Sequence, residues 1–321
     1  MSVSAKFAAI AAVIILSMVG GYLAGRRGRL AERWAEVLMT IVLVGGYPSV
    51  GLLAIWTTKL RGPDGWLPGL GIVHILIMAA LSWVLACGLR WDRSRRGLFT
   101  IAGSAGNIGF TMGGFVIYLL YGQQGLGLAT IYAQILTPVT VLVYYPLARH
   151  YAADVPPGGL GGLMLRSIFD WRSLGLPAAL VAVGLSLGNV PRPVFVDRLY
   201  LVDVLMFMVT AMANFSIGLR LRLAQTRPAA AMIAWSLPVR FVAGAAVGWL
   251  LAAATLLTPW PMDQLARNVL VLESFVPTAV TMVGVANMFG LRPREASVLF
   301  VANTLFYLVF VLPVALGVFG S

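Results

Sequence analysis

Apolar stretches long enough to cross a bilayer, with hardly a charge in them, constrain this chain more than any other feature. A hydrocarbon core about 30 Å thick takes about 20 residues of α-helix. Phe7 to Ala24, Trp66 to Leu89 and Phe241 to Leu257 all run near that length. Outer-membrane β-strands would alternate apolar and polar residues over about ten positions, and these stretches do not alternate. Composition agrees. With 60% hydrophobic residues, 11% charged residues and a mean hydropathy of +0.90, there is too little charge to cover a water-soluble surface. The expected fold is therefore an all-α polytopic membrane protein.

The hydropathy pattern predicts about ten transmembrane helices, roughly over 5–25, 34–57, 66–89, 97–121, 125–149, 173–190, 199–221, 228–257, 263–289 and 295–319. Only Lys6 precedes the first of these, and the segment runs too long for the apolar core of a signal peptide, so it reads as a retained helix. The longest non-apolar stretch, Tyr151 to Trp171, holds Pro156, Pro157 and four glycines and reads as a linker. It divides the chain into residues 1–150, a cytoplasmic linker 151–171, and residues 172–321. The single cysteine, Cys87, allows no disulfide framework and no thiolate metal cluster.

Charge tests the count of spans. When loops are assigned alternately to two sides, sixteen of the 23 Lys and Arg residues fall on one side and six on the other; Arg240 alone falls inside a span. The rich side is cytoplasmic by the positive-inside rule. Both termini are then expected outside, in a multi-pass protein of the plasma (inner) membrane. The net charge of +12 sits in these loops, so no nucleic-acid partner is expected.

Five spans per half means that the halves enter the membrane in opposite directions. Short matches recur between the halves in order. Ser49-Val50-Gly51-Leu52 matches Ser216-Ile217-Gly218-Leu219, Thr111-Met112 matches Thr281-Met282, and Tyr121-Gly122 matches Phe289-Gly290. Ala133-Gln134-Ile135-Leu136 matches Ala302-Asn303-Thr304-Leu305, and Pro146-Leu147-Ala148 matches Pro313-Val314-Ala315. All five offsets lie between 167 and 170 residues. Inverted repeats of this kind mark secondary transporters, whose substrate binds near the midplane at broken helices. A break exposes backbone N–H groups suited to an anion and C=O groups suited to a cation.

The fourth and ninth spans carry the residues that would break a helix. The fourth holds five glycines among Gly103-Ser104-Ala105-Gly106-Asn107-Ile108-Gly109-Phe110-Thr111-Met112-Gly113-Gly114, and the ninth holds Glu273-Ser274-Phe275-Val276-Pro277-Thr278. Pro277 lacks an N–H and clashes with the preceding turn, so it frees the carbonyl of Glu273. The expected substrate-binding residues are Asn107, Thr111, Gly114, Pro277 and Thr278, with Arg240 and Asn214 from neighbouring spans. Glu273 falls near the midplane, where a carboxylate is costly unless paired, hydrated or protonated. It is either a coupling group for H+ or Na+, or a fixed charge balanced by Arg240. Pro48, Ser49 and Ser216 could line a cavity or serve interhelical hydrogen bonds. Asp203 is expected to pair with Arg198, and His74 reads as a satisfied core histidine.

These motifs resemble a known family. Asn107-Ile108-Gly109-Phe110-Thr111-Met112-Gly113-Gly114 followed by Tyr121-Gly122 resembles the fourth-helix motif of the auxin efflux carrier family, which includes the plant PIN-FORMED proteins and bacterial malonate or malate carriers. This family lies within the bile/arsenite/riboflavin transporter superfamily. Pro277-Thr278-Ala279-Val280, Phe289-Gly290, Ala296-Ser297 and Asn303-Thr304-Leu305 resemble its ninth and tenth helices, and Val239-Arg240-Phe241 with Gly244 its eighth. The resemblance implies broken helices four and nine that cross at a pocket flanked by Asn107 and Pro277. Gly114 stands where the family usually has proline, and Glu273 where plant members tend to have an uncharged amide.

The function expected is alternating-access transport of a small organic anion, an auxin-like weak acid or a mono- or dicarboxylate, with efflux as the direction. The alternative is a sodium-coupled organic anion symporter of the bile acid type. No enzyme is expected: no aspartate-rich pair for prenyl transfer, His-Glu-x-x-His or Gly-x-Ser-x-Gly motif occurs. A channel would show a continuous polar stripe, and the spans have none. No cofactor or metal site is expected. The partners are the organic anion and the lipid bilayer, with a homodimer left open.

Overall fold

In a computed structural model of the chain, residues 3–28, 30, 33–59, 62–109, 112–152, 175–220 and 226–320 are described. Thr111 and most of the expected linker lie outside them. The described chain is nearly all helical and contains no strand. The helices are α1 (Val3–Arg26), α2 (33–56), α3 (Trp66–Gly88), α4 (Arg93–Ser104), α5 (Gly113–Ala133, two helices joined at a kink at Gly122), α6 (136–151), α7 (Gly175–Leu187), α8 (Val194–Arg198), α9 (Leu201–Arg220), α10 (226–257), α11 (Gln264–Ser274), α12 (Val280–Met288) and α13 (Pro293–Phe319).

Four stretches are long and apolar enough to cross a bilayer: Gly62–Gly88, Leu201–Leu219, Ala229–Leu257 and Pro293–Phe319. Their outward faces are apolar too. Leu76, Val84, Val242, Leu250, Val309, Phe310 and Val314 are all exposed, a surface that in water would drive aggregation but that lipid accepts. Polar side chains are turned inward, among them Ser104, Asn107, Arg240, Glu273, Thr278 and Asn303.

Long helices here contain π turns, and three of the four described π turns share one cause. They span Val42–Gly46, Thr140–Tyr144 and Tyr307–Val311, each ending two residues before Pro48, Pro146 or Pro313. A proline has no N–H for the carbonyl four residues back. Those carbonyls belong to Val44, Leu142 and Val309, inside the three π turns, where the ladder slips to the wider spacing. The fourth π turn, Pro238–Ala243, begins at its proline and carries Arg240.

Small residues bring helices close. A Cβ on Gly21 would lie 2.1 Å from the Phe215 carbonyl, and one on Gly218 would lie 2.0 Å from that of Met18, so α1 and α9 meet backbone to backbone. α7 packs against the second part of α2. At one end of the bundle, Arg93 donates to the His150 carbonyl and Arg292 bonds Asp92 and Ser94. At the other end, Lys59 N bonds Gln124, Arg192 bonds Gln123 and Asp197, and Tyr121 donates to the Phe319 carbonyl.

Candidate functional site

Two helices stop inside the bundle and their loose ends meet. α4 begins on an N-cap, with Asp92 accepting from Arg95 N at 3.0 Å, and stops at Ser104, where Gly103, Gly106 and Gly109 weaken helix propensity. The chain becomes helical again at Gly113. α11 likewise begins on Asp263, which accepts from Ala266 N at 2.8 Å, and stops at Ser274. Pro277 biases Val276 away from helical geometry, and α12 starts at Val280. The helix therefore ends before the proline, and the Val276 carbonyl turns to a side chain for its partner.

The two links run antiparallel and pair through their backbones. Gly106 and Thr278 form a β-bridge, Asn107 N donates to Pro277 O at 2.7 Å, and Ala279 N donates to Ala105 O at 2.8 Å. These bonds satisfy groups that water cannot reach, which is what allows non-helical backbone at such depth. Asn107 is 6% exposed and Thr278 is fully buried.

The carbonyls at the end of α4 are all taken. Ile101 O accepts from Ala105 N at 2.8 Å, and Ala102 O from the Thr278 hydroxyl at 3.2 Å. Gly103 O and Ser104 O accept from Arg240 Nη1 at 3.0 and 3.4 Å. The same guanidinium reaches across to the second link, where Val276 O accepts from Nη2 at 2.6 Å and from Nε at 3.2 Å. Arg240 is fully buried and projects from the π turn of α10. It thus binds both links at once. It forms no ion pair with Glu273, so the fixed-pair reading of those two residues does not hold.

Glu273, 1% exposed, lies at the last turn of α11 with its carboxyl against the start of α5. A Cβ on Gly113 would lie 2.0 Å from Glu273 Oε2, so a larger residue there would push the carboxyl aside. Neither carboxyl oxygen has a hydrogen-bond partner; the Gly109 amide faces the group without meeting hydrogen-bond geometry. The helix N-terminus beneath it carries partial positive charge. Tyr132 and Tyr307, both buried, lie within electrostatic reach.

Other expected residues fall into place unevenly. Gly114 N donates to Gly109 O at 2.6 Å, a bond that proline at this position could not make. Asn214 lies on α9 and donates to Thr210 O of its own helix at 2.9 Å rather than to the links. Ser216 donates to Ala35 O at 2.6 Å, an interhelical bond. His74 is buried with Nε2 at 3.3 Å from Gly244 O. Asp203 accepts from the Tyr118 hydroxyl rather than pairing with Arg198. The Arg240 contacts carry no sequence signal, because their partners are backbone carbonyls 36 and 136–137 residues away. Among the described residues no group of three or more His, Cys, Asp or Glu side chains could hold a metal.

No protein-family model matches the chain and no curated protein is significantly similar to it.

Proposed function

We propose that this protein is a secondary carrier of ten spans in two inverted five-helix halves, moving a small organic anion across the membrane by alternating access. The observation that carries the reading is the crossing itself. Asn107 and Pro277 are 170 residues apart, within the range of the sequence repeat, and they are also partners in the antiparallel pairing of the links. A two-fold axis between these two residues would relate the halves.

Further features recur at similar offsets. The helix-capping aspartates Asp92 and Asp263, the helix ends Ser104 and Ser274, the left-handed glycines Gly122 and Gly290, and the π turns before Pro146 and Pro313 all correspond. Packing follows the same exchange: the first helix of one half rests on the second of the other, α1 on α9 and α7 on α2.

The anion is then bound at a half-helix N-terminus. That of α5 is covered by the Glu273 carboxyl. That of α12 starts at Val280 and Thr281, which are half-buried, and offers its amides to a carboxylate. Glu273, held dry beside the crossing, takes up and releases a proton as the coupling step. Arg240 contributes through the backbone it holds. The Arg-rich end faces the cytoplasm of a plasma membrane and the direction is efflux.

Purified protein in proteoliposomes should exchange labelled mono- or dicarboxylates in counterflow, and Glu273→Gln should keep counterflow while losing uptake driven by a pH gradient. Absence of counterflow for every carboxylate tried would remove the carrier reading. Gradient-driven uptake that survives Glu273→Gln would remove the coupling role alone.

A further inference from the structure

The carbonyls of Gly103, Ser104 and Val276 form a cation site, and we propose that the Arg240 guanidinium is its permanent occupant. Three carbonyls from two broken segments converge on one point, fully buried, and two of them close the C-terminal end of α4, where the macrodipole is negative. Oxygen clusters of this sort bind dissociable cations in carriers with broken helices. Here the charge is tethered. Its planar fork makes four bonds, two to each link.

The surroundings are built for it. A Cβ on Gly106 would lie 2.7 Å from Arg240 Nη2, so this position is kept bare beside the fork. The π turn at Pro238–Ala243 sets the side chain at this height. Gly244, one residue beyond, lets α10 approach the Ser274 carbonyl, which a Cβ would meet at 2.7 Å. Arg240 is thus a positioning residue. It fixes the spacing of the two links, and no dissociable metal ion is required at these carbonyls. The neighbouring Glu273 carboxyl lies outside the cluster and is free for a separate role.

The inference rests on the carrier reading only for its consequence in transport, and its test does not depend on transport. Full-length protein in detergent is melted with and without 20 mM chloride salts of guanidinium, sodium and ethylammonium. Arg240→Ala should lower Tm by about 10 °C, as expected when several buried backbone acceptors lose their donor. Guanidinium alone should return at least half of the loss, by refilling the vacated site. Arg240→Lys, which keeps the charge without the fork, should lose about half as much and gain nothing from guanidinium.

Recovery of Arg240→Ala by sodium or ethylammonium as well as by guanidinium would overturn the proposal, as would an Arg240→Lys variant as stable as the natural protein. Should Arg240→Ala yield no folded protein, folding restored by expression with guanidinium supports the proposal, and the Lys variant decides the rest. Selective rescue together with failed counterflow would sink the carrier reading and leave this one standing.

Discussion

The two breaks perform one task with different residues. The first-half break is made by glycines, and its new helix starts under a carboxyl supplied by the other half. The second-half break is made by Pro277, and its new helix starts at Val280 with side chains already in place. Neither is self-sufficient. The first link's Asn107 N–H needs Pro277 O, the second link's Ala279 N–H needs Ala105 O, and both need Arg240. A break at bilayer depth is therefore a property of a pair of segments. What distinguishes the two is tolerance of added atoms: the first should resist a methyl group that the second already carries.

Gly113→Ala tests this difference with the largest expected effect. The new Cβ would stand 2.0 Å from Glu273 Oε2 and 2.6 Å from its Cδ, and Glu273 is itself only 1% exposed. The carboxyl ends a flexible side chain but has little room to swing aside, and overpacking of this kind costs about 1–3 kcal/mol. Chemical or thermal unfolding in detergent should show that loss, and a double-mutant cycle with Glu273→Ala should return most of it, since the clashing atoms are then gone. The corresponding change at Val280, to Ala, should fall within the range of ordinary half-buried truncations, about 1 kcal/mol. Equal effects at the two positions would erase the distinction.

How much of this pairing could be read beforehand follows from where its signals lie. Glycine density around Asn107 and the proline at 277 mark both breaks, because helix propensity is a local property of residue type. Apolar length locates the four membrane-length helices for the same reason. Arg240 is different. An arginine inside an apolar run reads as a ligand for substrate, yet its partners are carbonyls, which every residue has and no sequence distinguishes. Glu273 is similar: its buried position is legible, but the absence of an Arg240 partner depends on the guanidinium being claimed by backbone. For Asn214 and Ser216 the sequence leaves cavity lining and interhelical bonding both open; Ser216 bonds between helices, and Asn214 bonds within its own.

The left-handed glycines sharpen the comparison from the other side. Gly122 and Gly290 sit at φ values of +64° and +67°, and a Cβ at either position would meet nothing within 4 Å, so only backbone conformation distinguishes glycine from alanine there. Gly122 has ψ −153°, a combination that only glycine adopts readily, and a positive φ costs an L-residue about 1–3 kcal/mol. Gly122→Ala and Gly290→Ala should therefore both destabilise by about that amount, if the halves are repeats. A loss at one position and none at the other would show that the correspondence is confined to the links.

The helix starts should differ by the least. Asp92 and Asp263 each cap a helix that leads into a break, and removing such a cap costs about 1 kcal/mol. Asp92 has a second duty: its Oδ2 pairs with Arg292 Nη2 at 3.0 Å, tying the first half to the start of α13, while Arg292 also bonds Glu295 at 2.5 Å and Ser94 at 3.1 Å. The Asp92 side chain is 48% exposed, and an ion pair so open to solvent contributes about 0.2–1 kcal/mol. Asp92→Ala should thus cost slightly more than Asp263→Ala, by no more than about 1 kcal/mol. Asparagine separates the two duties, because it caps as well as aspartate but carries no charge. Asp263→Asn should be near neutral, whereas Asp92→Asn should lose only the ion-pair part, and that loss should vanish at about 1 M salt, where screening reaches a few ångströms. If Asp92→Asn is as damaging as Asp92→Ala, and salt does not close the gap, the contact between the halves at this end is stronger than its exposure allows.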